Sequence, residues 1–129
     1  MKKEIIIVII IIICIIIGHI LTQKYTRNFF DEISNDLQKI EDDFFDDSMN
    51  NSNMKNDIDE VQRKWDDKYD VLAYYLEHDE LEKVQTQLIG IKANIEAGEY
   101  DKCVEKIEIC KFILKHIEDK DSFKLVNIF

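Results

Sequence analysis

Residues 5–45 read IIIVIIIIICIIIGHILTQKYTRNFFDEISNDLQKIEDDFF, and the hydrophobic pattern changes character inside that one stretch. From Ile5 to Leu21 every residue is isoleucine, valine, cysteine or leucine except Gly18 and His19. As a helix with a rise of ~1.5 Å per residue, this run is roughly 25 Å long. Counted from Lys3 to Lys24, whose stems can snorkel, it covers about 30 Å, which matches a bilayer core. β-Branched residues are mediocre helix formers in water, but lipid offers unpaired backbone no other partner and so enforces the helix. Beyond Leu21 the pattern becomes periodic: Phe30, Ile33, Leu37, Ile40 and Phe44 recur at intervals of three and four, with acids and lysine opposite. Nothing between Leu21 and Phe30 breaks a helix. The spacing therefore predicts that a transmembrane helix runs on into the first amphipathic helix, to about Phe45.

A cleaved signal peptide is the competing reading of the same segment. Cleavage favours small residues at alternate positions, and the run from Gly18 and His19 to Gln23 and Lys24 holds no such pair. A lipoprotein site would need Gly or Ala before Cys14, where Ile13 stands. An uncleaved anchor over residues 1–22 is expected. The free amine, Lys2 and Lys3 outweigh Glu4 and favour a cytoplasmic amino terminus, while Lys24 and Arg27 beyond the span are accompanied by Asp31 and Glu32. Residues 23–129 are then an extracytoplasmic domain at the cell membrane. A four-residue cytoplasmic stub holds no signalling module, so any message across the membrane passes through a second protein.

Within the anchor, Cys14, Gly18 and Thr22 stand four apart and form the one small or polar line on an isoleucine cylinder. Small residues at that spacing let another helix approach closely, which is how helices associate when lipid is as apolar as they are. The plainer reading is that an isoleucine run tolerates any small residue. His19 sits beside the line near the outer interface, where a helix-end ionisable group commonly just reaches water.

The chain has 129 residues, with 17 Lys and Arg against 27 Asp and Glu. Lys2, Lys3 and Glu4 are the only charges among the first 22, which leaves 15 basic and 26 acidic groups, a net of −11, for the remaining 107. So acidic a domain repels phosphate backbones, and no basic stripe with interleaved aromatics is present, so nucleic acid is disfavoured as a partner. There is no proline, and Gly18, Gly90 and Gly98 stand alone, so all-β and glycine-rich phosphate-binding readings fail. Of residues 23–129, 43 are apolar, enough for a modest core.

The rest of the domain reads as helix. Asp46 to Asn56, with Ser48, Asn50, Asn51, Ser52 and Asn53, is a polar stretch of caps and turn formers that predicts the first connection. A second stripe uses Ile58, Val61, Trp65, Tyr69, Leu72 and Leu76, and a third uses Leu81, Val84, Leu88, Ile91 and Ile95. Between them Asp79 and Glu82 could form a capping box, so His78 to Glu80 is either a helix start or a kink. Ala97 and Gly98 suit a helix carboxy-terminal cap. The last stripe is Tyr100, Cys103, Ile107, Cys110, Leu114 and Ile117, followed by a short apolar tail that either packs under the bundle or lies in the lipid interface. Short connections make neighbours antiparallel, so the expected fold is all-α: an up-down antiparallel bundle of about four helices standing on its anchor. Cys103 and Cys110 are about 10 Å apart along one helix, too far for a disulfide, and read as small core residues.

Trp65, the segment His78, Asp79, Glu80, Leu81, a hairpin turning at Gly98, the pair His116 and Ile117, and the closing Asn127, Ile128, Phe129 resemble domain-of-unknown-function family 4363. The resemblance extends over nearly the full chain, including the two lysines and apolar segment at the start. It implies a small, membrane-anchored bacterial helical protein with no assigned reaction, found beside small multi-pass membrane proteins. The chain departs from that pattern mainly at residues 46–56, where the family has a shorter acidic turn.

The residues offer three candidate chemistries. His78 with Glu80, and His116 with Asp119, supply divalent-metal ligand types, and a bundle could bring those helix ends together. However, His78 and Glu80 point some 160° apart unless the helix breaks there, and histidines that hydrogen-bond at helix ends are the simpler reading. Asp46, Ser48, Asn50, Ser52 and Asp57 loosely imitate a calcium loop, but Asn51 replaces its glycine, Asn53 an apolar residue, and Asp57 the bidentate glutamate. A hydrated acidic hinge explains them better. Ser34, Ser48, Ser52 and Ser122 have no histidine or tight-turn context, and Asp42, Asp43, Asp46 and Asp47 read as a solvated face, so no enzyme and no cofactor are expected. Two classes remain. The first is an anchored interaction module, accessory to another membrane protein or paired as a homodimer through Cys14, Gly18 and Thr22. The second is an extracytoplasmic sensor that binds a small ligand or divalent metal near His78 and His116.

Overall fold

The computed structural model describes residues 1–46 and 51–128, with side chains for 1–46 and 53–122, and they are all-helical. α1 spans Lys2–Phe44, α2 Asn51–Ala73, α3 His78–Ala97 and α4 Tyr100–Ile128. Each helix packs against its sequence neighbours, and α4 closes the ring on α1, so α1 and α3 share one diagonal and α2 and α4 the other. The result is a four-helix up-down bundle.

α1 is continuous, as the absence of any breaker predicts. Its first half is apolar, with every large side chain from Ile5 to Ile13 exposed; among the described residues it is the one helix long and apolar enough to cross a membrane. Its second half turns Phe29, Phe30, Ile33, Leu37 and Ile40 into the core. Those residues meet the predicted stripes of the other helices: Ile58, Val61, Trp65 and Leu72 from α2, Leu81 to Ile95 from α3, and Cys103 to Ile117 from α4. Each fully buried aliphatic or aromatic side chain stabilises the fold by about 1.5–3 kcal/mol relative to exposure. Trp65 is the largest. Its ring lies 6.0 Å from those of both Phe29 and Phe30, so one indole locks α2 onto α1.

One boundary differs from expectation, and at a second the helix-start alternative holds without its capping box. α2 begins at Asn51, within the stretch predicted as a connection, because Met54 is fully buried and extends the core stripe one turn ahead of Ile58. Residues 47–50 of that connection lie outside the described residues. α3 starts at His78 with Glu77 in extended backbone as its cap residue, and no side-chain capping bond forms; Asp79 lies inside the first turn, where its charge favours the helix dipole instead of closing a box with Glu82. The predicted carboxy-terminal cap is present. Gly98 adopts φ 71°, and the Glu99 and Gly98 N–H groups donate to Asn94 O at 2.9 Å and Ile95 O at 3.1 Å.

Ion pairs lace the helices together on the outside. Lys64 reaches Asp36 at 2.8 Å and Glu32 at 3.0 Å, joining α2 to α1, and Lys92 reaches Asp59 at 2.7 Å, joining α3 to α2. Lys111 joins α4 to α1 through Glu41 at 3.3 Å and a bond to Gln38.

Candidate functional site

The chemistry-bearing residues converge where the isoleucine segment enters the bundle. Cys14 is exposed, and a side-chain carbon added at Gly18 would meet nothing within 4 Å. The Thr22 hydroxyl donates to the Gly18 carbonyl at 2.7 Å, one turn back. That back-bond satisfies the hydroxyl inside the helix, so the line of Cys14, Gly18 and Thr22 presents small surface with no side-chain hydroxyl left seeking a partner. One turn further on, Thr26 continues the four-residue step. It donates to the Thr22 carbonyl at 2.9 Å and lies 2.7 Å from the Tyr75 hydroxyl on the α2–α3 connection.

Thr26 also opens a polar cleft between α1 and α4, lined by Gln23, Arg27, Glu118, Asp121 and Ser122. Thr26 and Asp121 are buried. The Gln23 amide nitrogen and Glu118 Oε1 are both inaccessible and have no hydrogen-bond partner. Burial, reinforced by Asp31, pushes the Glu118 carboxyl above its usual range against the pull of Lys115 and Arg27. Burial likewise raises the Tyr75 hydroxyl, although its bond to Thr26 opposes the shift. The five residues Gln23, Thr26, Tyr75, Glu118 and Asp121 escaped the reading of the sequence. Only Thr26 carried a signal, as the next member of the Cys14, Gly18, Thr22 step.

The histidine constellation is not assembled. His78 is exposed with its ring 6.4 Å from that of Tyr69, and His116 is exposed and stacked on Phe112 at 6.4 Å. Glu80 turns instead to Lys83 and Lys120, each at 3.8 Å, and Lys120 also reaches Glu77 at 3.2 Å. Among the described residues no group of three or more His, Cys, Asp or Glu could hold a metal ion. The calcium-loop pattern is broken as well: Ser52 and Asp57 lie within α2, while Ser48 and Asn50 fall outside the described residues. A groove of about 200 Å³ between α1 and α2 is lined by Asp36, Lys39, Asp57, Glu60 and Lys64. All five lining residues are charged, and Lys64 already pairs with Asp36 at 2.8 Å, which is unlike the mostly apolar lining of a small-molecule pocket.

The two thiols of α4 are core groups. Burial pushes Cys103 up to about 11 and Cys110 up to about 12, far from the range of a reactive thiolate.

A family model described as Domain of unknown function (DUF4363) matches residues 20–128, and the chain belongs to that family. No curated protein and no solved structure matches it.

Proposed function

We propose that this DUF4363 protein is a membrane-anchored interaction module, an accessory that holds an acidic helical bundle against the membrane and engages another membrane protein through its anchor. The observation that carries the reading is the unbroken α1, in which a bare isoleucine helix and a bundle helix are one rod of 43 residues. A helix with every large apolar side chain from Ile5 to Ile13 exposed needs a lipid or protein environment. The line of Cys14, Gly18 and Thr22 supports the anchor as the docking element, since it is the place where a second helix can come close. Lys2 and Lys3 favour a cytoplasmic amino terminus and an extracytoplasmic bundle.

The test is co-purification of the full chain from its native membrane in mild detergent, beside the variant Gly18→Ile with Thr22→Ile. The expected result is a stoichiometric membrane protein, or a second copy of the chain, that is retained by the parent and lost by the variant. Equal retention by both, or none by either, overturns docking through the anchor.

A further inference from the structure

α4 is longer than the bundle requires. It runs antiparallel to α1, and side chains set their register at two heights: Lys111 pairs with Glu41 at one end, and Glu118, Asp121 and Ser122 share a cleft with Gln23, Thr26 and Arg27 at the other. Ser122 is therefore level with the turn of α1 that holds Gln23 and Thr26. Yet α4 continues to Ile128, and six further residues add ~9 Å of helix beside the turns of α1 that precede Gln23.

The accessibility of α1 carries the trace of that extension. Ile17, Gly18, Ile20 and Leu21 are exposed, whereas Ile16, His19, Thr22 and Gln23 are half-buried, and the buried His19 Nε2 lacks a hydrogen-bond partner. One side of the isoleucine segment is thus covered down to Ile16. Among the described helices α2 and α4 pack on α1, and α2 ends at Ala73, ahead of a connection that reaches α1 at Thr26. The composition of the extension changes as well. Residues 123–128 are Phe123, Lys124, Leu125, Val126, Asn127 and Ile128, four of six apolar, at the end of a helix from an otherwise acidic domain.

We propose that the carboxy-terminal end of α4 is a second membrane contact, a non-spanning helix end that enters the leaflet nearest the bundle beside the anchor. The proposal rests on the membrane-anchored reading above. The occupant is the boundary between headgroups and acyl chains, where a short, mostly apolar helix end loses water contact. Two membrane contacts fix the rotation of the bundle about the anchor axis. α4 then covers the Ile16 and His19 side of α1 and leaves Gly18 and Cys14 open, so a partner meets the small-residue line from one direction.

Site-directed nitroxide labelling of the full chain in phosphatidylcholine vesicles tests this. Cys103 and Cys110 are buried and unreactive, so with Cys14→Ala the label goes to one introduced cysteine. Phe123→Cys and Val126→Cys probe the extension, because helical rotation sets these positions about 160° and 140° from the buried Asp121. Ile10→Cys serves as the lipid reference and Lys115→Cys as the water reference. At position 123 or 126, collisions with dissolved oxygen should exceed those with a water-soluble nickel chelate by a ratio several-fold above that at 115. Ratios at 123 and 126 both equal to that at 115, with position 10 lipid-embedded, overturn the second contact and leave the anchor standing. A water-like ratio at position 10 overturns the anchor and the second contact together.

Discussion

The hydroxyl oxygens of Thr26 and Tyr75 lie 2.7 Å apart, 49 residues from one another in sequence. Thr26 is on the first turn of α1 that the bundle buries, and Tyr75 is on the connection between α2 and α3. Their bond ties the base of the bundle to the end of the isoleucine segment. Because α1 has no break there, any tilt of the segment is carried directly into the core through Phe29 and Phe30, which hold Trp65.

Removing either hydroxyl should loosen that junction modestly. Tyr75→Phe deletes the bond but leaves Thr26 donating to the Thr22 carbonyl, so the expected cost is ~1 kcal/mol. Thr26→Val removes both bonds at a buried site and should cost somewhat more. In a double-mutant cycle followed by denaturant unfolding in detergent, the pair should cost less than the sum of the two single changes. Strict additivity would show that the contact contributes nothing.

Trp65 should be the most sensitive core position. Trp65→Ala leaves a cavity between Phe29 and Phe30, and its expected cost is about 3–5 kcal/mol. Trp65→Phe should cost much less, because it keeps the aromatic contact and removes a buried indole N–H that has no acceptor. Denaturation midpoints of the two variants check the ranking. Equal losses would mean that the indole ring is not what locks α2 to α1.

The four apolar stripes were legible because burial on one helix face writes a period near 3.6 into the chain, and Gly98 was legible because a left-handed cap selects glycine. What sequence reading could not supply was long-range pairing. Glu41 and Asp121 are buried acids that residue type alone assigns to the surface, and Thr26 and Tyr75 find each other only after three helices have packed. The separation of Glu80 from the histidines has a similar cause: Lys120 on α4 lies close enough to take that carboxylate. Met54 was missed because asparagines surround it and conceal the first turn of α2.

Glu118 should make the bundle less stable as pH rises. Its carboxyl is held above the ordinary value of 4.5 by burial and by Asp31, so the folded state binds the proton more tightly than the unfolded chain does. The stability this contributes is fully present below about 4.5 and is lost as pH climbs through the raised folded value. Glu118→Gln cannot ionise and should therefore gain on the parent across that window, with the difference levelling off above it. Melting curves of both chains between pH 4 and 8 in steps of about one unit measure this difference directly, and it removes the contribution of Glu41, whose carboxyl is also raised by burial. A constant difference at every pH would show that the Glu118 proton is not linked to folding.

The cysteines should divide by environment. Cys103 and Cys110 are fully buried, with their thiols pushed to about 11 and about 12, so almost no thiolate exists near neutral pH and no reagent reaches them in the folded chain. Cys14 lies exposed outside the bundle on the isoleucine segment, which on the membrane-anchored proposal is covered by lipid or detergent and so closed to water-soluble reagents. A charged maleimide applied to the folded, detergent-solubilised chain should therefore modify none of the three at an appreciable rate, whereas a membrane-permeant one should reach Cys14 alone. Unfolding by denaturant should release Cys103 and Cys110 together, because each lies in the same face of α4 and loses its cover in the same transition. Mass spectrometry of the labelled chain counts the modified thiols at each denaturant concentration. Labelling of Cys103 ahead of global unfolding would mean that α4 separates from α1 near Glu41 before the core opens.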